Sequence, residues 1–113
     1  MPRRRITFRQ LETFATVARL RSFTKAADAL HLTQPAVSIQ IRQISDTIEL
    51  PLFEQTGRDV ALTPAGEELL KTVRNLDDVW NQFESSIDEL KGMKRGKLRV
   101  ALVTTAKYFL PRM

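Results

Sequence analysis

Seven apolar residues, Leu69, Val73, Leu76, Trp80, Phe83, Ile87 and Leu90, follow one another at strictly alternating steps of four and three. Only an α-helix gathers such a series on one side, because those steps track its 3.6-residue turn. Thr63 supplies a cap and Pro64 a first helical residue, while Glu67 and Glu68 place negative charge in the opening turns, where the helix dipole favours it. The pattern predicts one helix over 64–91, stopping before Gly92 and extending about 42 Å at 1.5 Å per residue. A chain of 113 residues has too small a core to cover Trp80, Phe83 and the rest of that seam. The expected cover is the same helix of a second chain, which makes all seven seam residues dimerisation candidates.

Residues 1–63 remain for a folded unit ahead of that helix. Phe8, Leu11, Phe14, Ala15 and Ala18 recur at helical spacing and predict a first helix over about 7–20. Ser22 and Thr24 can each cap a second, short helix through Ala26, Ala27 and Leu30. After His31-Leu32-Thr33, the residues Val37, Ile41, Ile44 and Ile48 form the buried stripe of a third helix. Pro35 falls in its first turn, where a missing N–H is no loss, and because a residue before proline avoids the α region, Gln34 is favoured over Thr33 as its cap. The tight connection between second and third helices reads as a helix-turn-helix over about 23–42.

Pro51 stops the third helix, and two short apolar-polar runs, Leu52 to Gln55 and Val60 to Thr63, flank Thr56-Gly57-Arg58-Asp59. Such a glycine-containing polar loop predicts a hairpin over about 52–63, the wing of a winged helix-turn-helix. The expected fold class is therefore mainly α: three helices plus a small β-hairpin wing over 1–63, followed by a long dimerising linker helix. Beyond it, 92–97 reads as a basic hinge. Leu98 to Val103 reads as a strand with no later strand to pair with, so 98–113 is expected to be the truncated start of a further domain.

The net charge of +5 suggests a polyanionic partner, but its distribution matters more. Residues 1–63 carry +3, 64–91 carry −4 and 92–113 carry +6. With no cysteine there is neither a disulfide nor a thiolate metal site, which fits a reducing cytoplasm. No long apolar run follows the N-terminal arginines, so no signal peptide and no membrane span are expected. Enzymatic chemistry has little to work with. His31 is the single histidine and reads as a packing or capping residue, the acidic residues of 64–91 read as solvated helix flanks, and the four glycines form no phosphate loop. No metal site is expected.

On the third helix, Pro35, Ile39 and Arg42 lie opposite the buried stripe, with Gln34 and Ser38 at the flank. An amide, a hydroxyl, a guanidinium and two apolar groups match what base edges in a major groove offer. A solvated helix face also carries Gln, Ser and Arg, but an exposed Ile39 on such a face needs cover, which edge packing on the wing could also provide. Arg58 at the loop tip suits phosphate or a narrow minor groove, although an ordinary surface arginine beside Asp59 looks the same. Arg3, Arg4, Arg5 and Arg9 form a basic run suited to phosphates. The competing reading is a protein-interaction module whose coiled coil captures a partner, with the helix-turn-helix as scaffold.

The runs "FRQLETFATVARLRSFTKAADALHLTQPAVSIQIRQI", "LFEQTGR" and "LTPAGEELL", in that order, resemble the N-terminal part of a LysR-type transcriptional regulator over residues 6–91. "TQPAVSIQIRQ" and "VTTAKYFLP" are similar to the regulators of carbon-fixation operons within that family. The resemblance implies double-stranded DNA as partner, bound by a dimer on an interrupted inverted repeat. Gln34, Pro35, Ser38 and Arg42 would then lie near bases or phosphates, Thr24 and Thr33 would hold phosphates at helix starts, and Arg58 would enter the minor groove. It implies a tetramer and a small-molecule inducer for the full-length protein only, with Thr104 and Thr105 as the remnant of the inducer site and no cofactor in this chain. RNA polymerase is a further expected partner. One departure is Gln55, where the family commonly carries arginine.

Overall fold

The computed structural model describes residues 6–103, with side chains through Met93. Its elements are α1 (Phe8–Leu20), α2 (Phe23–Leu30), α3 (Gln34–Ile48), β1 (Phe53–Thr56), β2 (Asp59–Leu62) and α4 (Pro64–Val103). The chain divides into two units, 1–74 and 75–113.

Each helix start in the first unit has a side-chain cap for an otherwise orphaned N–H. Thr7 and Gln10 form a reciprocal capping box on α1. The Ser22 hydroxyl accepts from the Lys25 N–H at the start of α2, so Ser22 rather than Thr24 is the cap. At α3 the cap is Thr33, whose hydroxyl accepts from the Ala36 N–H, and Gln34 is already helical. This corrects the expectation of Gln34: a following proline disfavours the α region without forbidding it, and the Thr33 bond offsets that cost. The three helices end on non-glycine residues in the left-handed region, Arg21, His31 and Glu49. His31 is thus a C-cap, its N–H returning to the carbonyls of Ala27 and Asp28.

The core is one cluster built from the stripes of α1, α2 and α3, with Phe14, Val17, Ala26, Val37 and Ile44 at its centre. Phe53 of β1 ties the wing to it, its ring 5.3 Å from that of Phe14 and 5.7 Å from that of Phe23. β1 and β2 pair antiparallel from Phe53 opposite Leu62 to Thr56 opposite Asp59, leaving Gly57 and Arg58 as the turn. Gly57 takes φ +64°, which the first central residue of a tight hairpin turn requires.

Thr63 joins the wing to α4, donating to the Pro51 carbonyl at 2.6 Å and accepting from the Gly66 N–H at 3.1 Å. At Gly66 α4 lies close against the domain: a Cβ there would run into the Leu52 carbonyl oxygen and sit 2.9 Å from Leu62 Cδ2. Gly66→Ala is therefore expected to destabilise the domain by about 1–3 kcal/mol, as overpacking does, where a helical Gly→Ala in open space would stabilise it. A denaturant midpoint equal to or above wild type would contradict this close approach.

Three expectations for the C-terminal half need correction. No break occurs at Gly92, and the helix runs on through the expected hinge at 92–97 to Val103. A helical glycine costs only about 1 kcal/mol against alanine, and Met, Lys, Arg and Leu on both sides are good helix formers. Leu98 to Val103 is accordingly helical rather than a strand, since a strand needs a partner to satisfy its backbone. Leu69 and Val73 are not free for dimerisation: Val73 is buried in the core of the first unit and Leu69 packs against it. Thr104 and Thr105 lie outside the described residues. Among the described residues no helix is long and apolar enough to cross a membrane, and no cluster of potential ligands could hold a metal ion.

Candidate nucleic-acid interface

The inner side of α3 is fixed by Val37, Ile41 and Ile44, all buried. Its outer side is correspondingly determined. Gln34, Pro35, Ile39 and Arg42 are solvent-exposed and Ser38 is half-buried. Ile39 leaves 57% of its surface in water. All five residues named from the sequence therefore fall on one side of one rigid helix.

Two of them are already paired. The Gln34 amide Nε2 donates to Ser38 Oγ at 2.9 Å, one helical turn on. That leaves the Gln34 carbonyl oxygen, the second amide hydrogen and the Ser38 hydroxyl hydrogen for an incoming group. Ser38 and Arg42 also line one side of an open depression that continues past Asp46 to Glu49 and Leu50.

Three cations of the first unit named from the sequence are exposed. Arg9 is in the first turn of α1, Arg42 on α3 and Arg58 at the tip of the wing. Among the described residues, none of these three arginines is committed to a carboxylate, and the Lys71–Glu68 ion pair lies apart from them on α4. Thr24 and Thr33 are exposed at the starts of α2 and α3. Gln55 donates from Nε2 to the Gly57 carbonyl at 2.9 Å, bracing the turn that carries Arg58.

On the second unit, Leu76, Trp80, Phe83 and Leu90 are exposed and Ile87 is half-buried. Val79, 62% exposed and adjacent to the seam on the helix surface, widens it. The Trp80 and Phe83 rings lie 5.2 Å apart and form one aromatic ridge.

Four residues escaped the sequence reading. Gln10 Nε2 of α1 donates to Gln43 Oε1 of α3 at 2.8 Å, and the Thr13 hydroxyl donates to Gln40 Oε1 at 2.7 Å. The matched spacing of three in both helices, Gln10 with Thr13 and Gln40 with Gln43, does not by itself tell a solvated flank from a partner on another helix.

Three short helices with a capped third helix turned outward, backed by a two-stranded wing and followed by a long helix, define a winged helix-turn-helix protein. Residues 8–67 match the family model for the bacterial regulatory helix-turn-helix protein, lysR family. The chain belongs to the LysR family of bacterial regulators, and its relatives are named as regulators rather than enzymes. It is 48% identical over 107 residues to the HTH-type transcriptional activator CmpR of Synechocystis sp., covering 95% of this chain and 35% of that protein. It is 46% identical over 108 residues to a RuBisCO operon transcriptional regulator of Allochromatium vinosum, covering 96% and 36%. The chain spans about a third of the length of these relatives. A crystal structure of the BenM DNA-binding domain with benA site 1 DNA superposes with a TM-score of 0.69 at 32% identity, covering 75% of this chain and 96% of that one.

Proposed function

We propose that this chain is the sequence-specific, double-stranded-DNA-binding part of a transcriptional regulator, with α3 in the major groove. The observation that carries this reading is the outer face of α3, where Gln34, Pro35, Ile39 and Arg42 are exposed together on a helix held from behind by three buried residues. Gln34 and Arg42 are suited to bidentate contacts with adenine and guanine, and Pro35 and Ile39 to thymine methyl groups. Thr24, Thr33 and Arg9 lie where backbone phosphates would pass. Arg58 enters the adjacent minor groove, and Gln55 supports it through the turn in place of a longer-range cation.

Two copies pair through Leu76, Trp80, Phe83, Ile87 and Leu90 and read an interrupted inverted repeat with half-sites one or more DNA turns apart. The likeness to carbon-fixation regulators supports a cytoplasmic bacterial protein. Its longer form adds an inducer domain and assembles as a tetramer, and RNA polymerase is the partner that transcriptional activation requires.

Arg42→Ala tests the reading. A base contact is worth about 1–3 kcal/mol, so affinity should fall on the preferred duplex with discrimination lost at one position. Equal weakening on every sequence would make Arg42 a phosphate contact. Absence of duplex binding even at low salt would favour the coiled-coil interaction module instead.

A further inference from the structure

Gln40 and Gln43 both use their carbonyl oxygen toward α1, Gln40 accepting from the buried Thr13 hydroxyl and Gln43 from the Gln10 amide. Gln10 is itself held, since its own oxygen accepts from the Thr7 N–H in the capping box. A glutamine amide can normally present either its acceptor or its donors. Here each oxygen is turned toward α1 by the group it accepts from, so the NH2 group of each amide is the end turned away from that helix. On α3 these two residues flank the outer face on its α1 side, with Gln43 one step around the helix from Ile39.

We propose that Gln40 and Gln43 form a donor-presenting edge of the recognition helix that binds the DNA backbone phosphates, with Thr13 and Gln10 as positioning residues that hold the amides in the donating orientation. This rests on the reading of α3 as the DNA-binding helix. A flipped amide would aim its oxygen at a phosphate, which repels it, and the bonds from α1 oppose that flip. The contact is sequence-independent and carries no net charge, so it adds affinity without releasing a counterion.

The experiment is duplex binding by fluorescence anisotropy over a salt series, using the 113-residue chain well below its melting temperature. Gln40→Met and Gln43→Met keep side-chain size and helix propensity and should each weaken binding about threefold to tenfold. The loss should be equal on the preferred and on an unrelated duplex, with the slope against log salt unchanged. Thr13→Val should give a similar loss although Thr13 is only 1% exposed and touches no ligand. Thr13→Ser should restore binding, and Thr13→Val should add nothing once Gln40→Met is present.

Wild-type affinity in both glutamine variants, or a Thr13→Val loss that simply adds to that of Gln40→Met, overturns the proposal while leaving DNA binding by α3 intact. A loss confined to the preferred duplex overturns it too, because the amides would then be reading bases. Failure of the wild-type chain to bind any duplex overturns both the inference and the reading beneath it.

Discussion

Phe14→Ala should lower the stability of the first unit by about 3–5 kcal/mol, the range for removing a fully buried phenylalanine. Phe14 has no exposed surface and occupies the centre of the core cluster. Its ring also meets Phe53, whose ring in turn meets Phe23, so its loss loosens the wing as well as the packing of α1. A domain of this size loses about 4–8 °C of melting temperature per kcal/mol. The melting point followed by circular dichroism should therefore drop by well over 10 °C. Phe8→Ala is the control: Phe8 is 74% exposed and outside the core, so its removal should change little. A Phe14→Ala protein melting within a few degrees of wild type would contradict the placement of the core.

The largest functional effect should come from the second unit. Trp80→Ala combined with Phe83→Ala removes the aromatic ridge from a seam that is otherwise left in water. Without it the species in sedimentation should shift toward monomer. Two linked modules bind two linked half-sites about 10²–10⁴-fold more tightly than either module binds alone, because the second contact is made at high effective concentration. The double variant should lose most of that factor on a duplex with two half-sites and almost nothing on a single half-site. An unchanged sedimentation profile, whether dimeric or monomeric in both proteins, would remove this role from the seam.

Much of the first unit was legible because its signals are local. The stripe of Val37, Ile41 and Ile44 specified both the inner side of α3 and, by subtraction, the outer side with Gln34, Ile39 and Arg42. Gly57 in a polar loop announced the hairpin turn it makes. Periodicity could not say where the domain's core ends and the exposed seam begins. Leu69 and Val73 continue the same heptad as Leu76 and Trp80, yet the first two are absorbed by the core. The difference is tertiary, since the first turns of α4 lie against the domain, as the close approach at Gly66 also shows.

Gly92 was misread for a related reason. A glycine ends a helix when the following chain turns away, and a single glycine among strong helix formers carries too small a penalty to end it. The bonds from Thr13 and Gln10 to Gln40 and Gln43 were invisible for another reason again. Glutamine on a helix flank has no sequence signature that tells solvation from a partner on another helix.

In the proposed mode of binding, two copies of α3 read two half-sites of one duplex. Selection of bound duplexes from a random pool, followed by sequencing, tests it most directly. An enriched interrupted inverted repeat is expected, its half-sites centred one or more helical turns apart. Enrichment of isolated single sites, or recovery of unselected sequence after repeated rounds, would contradict it.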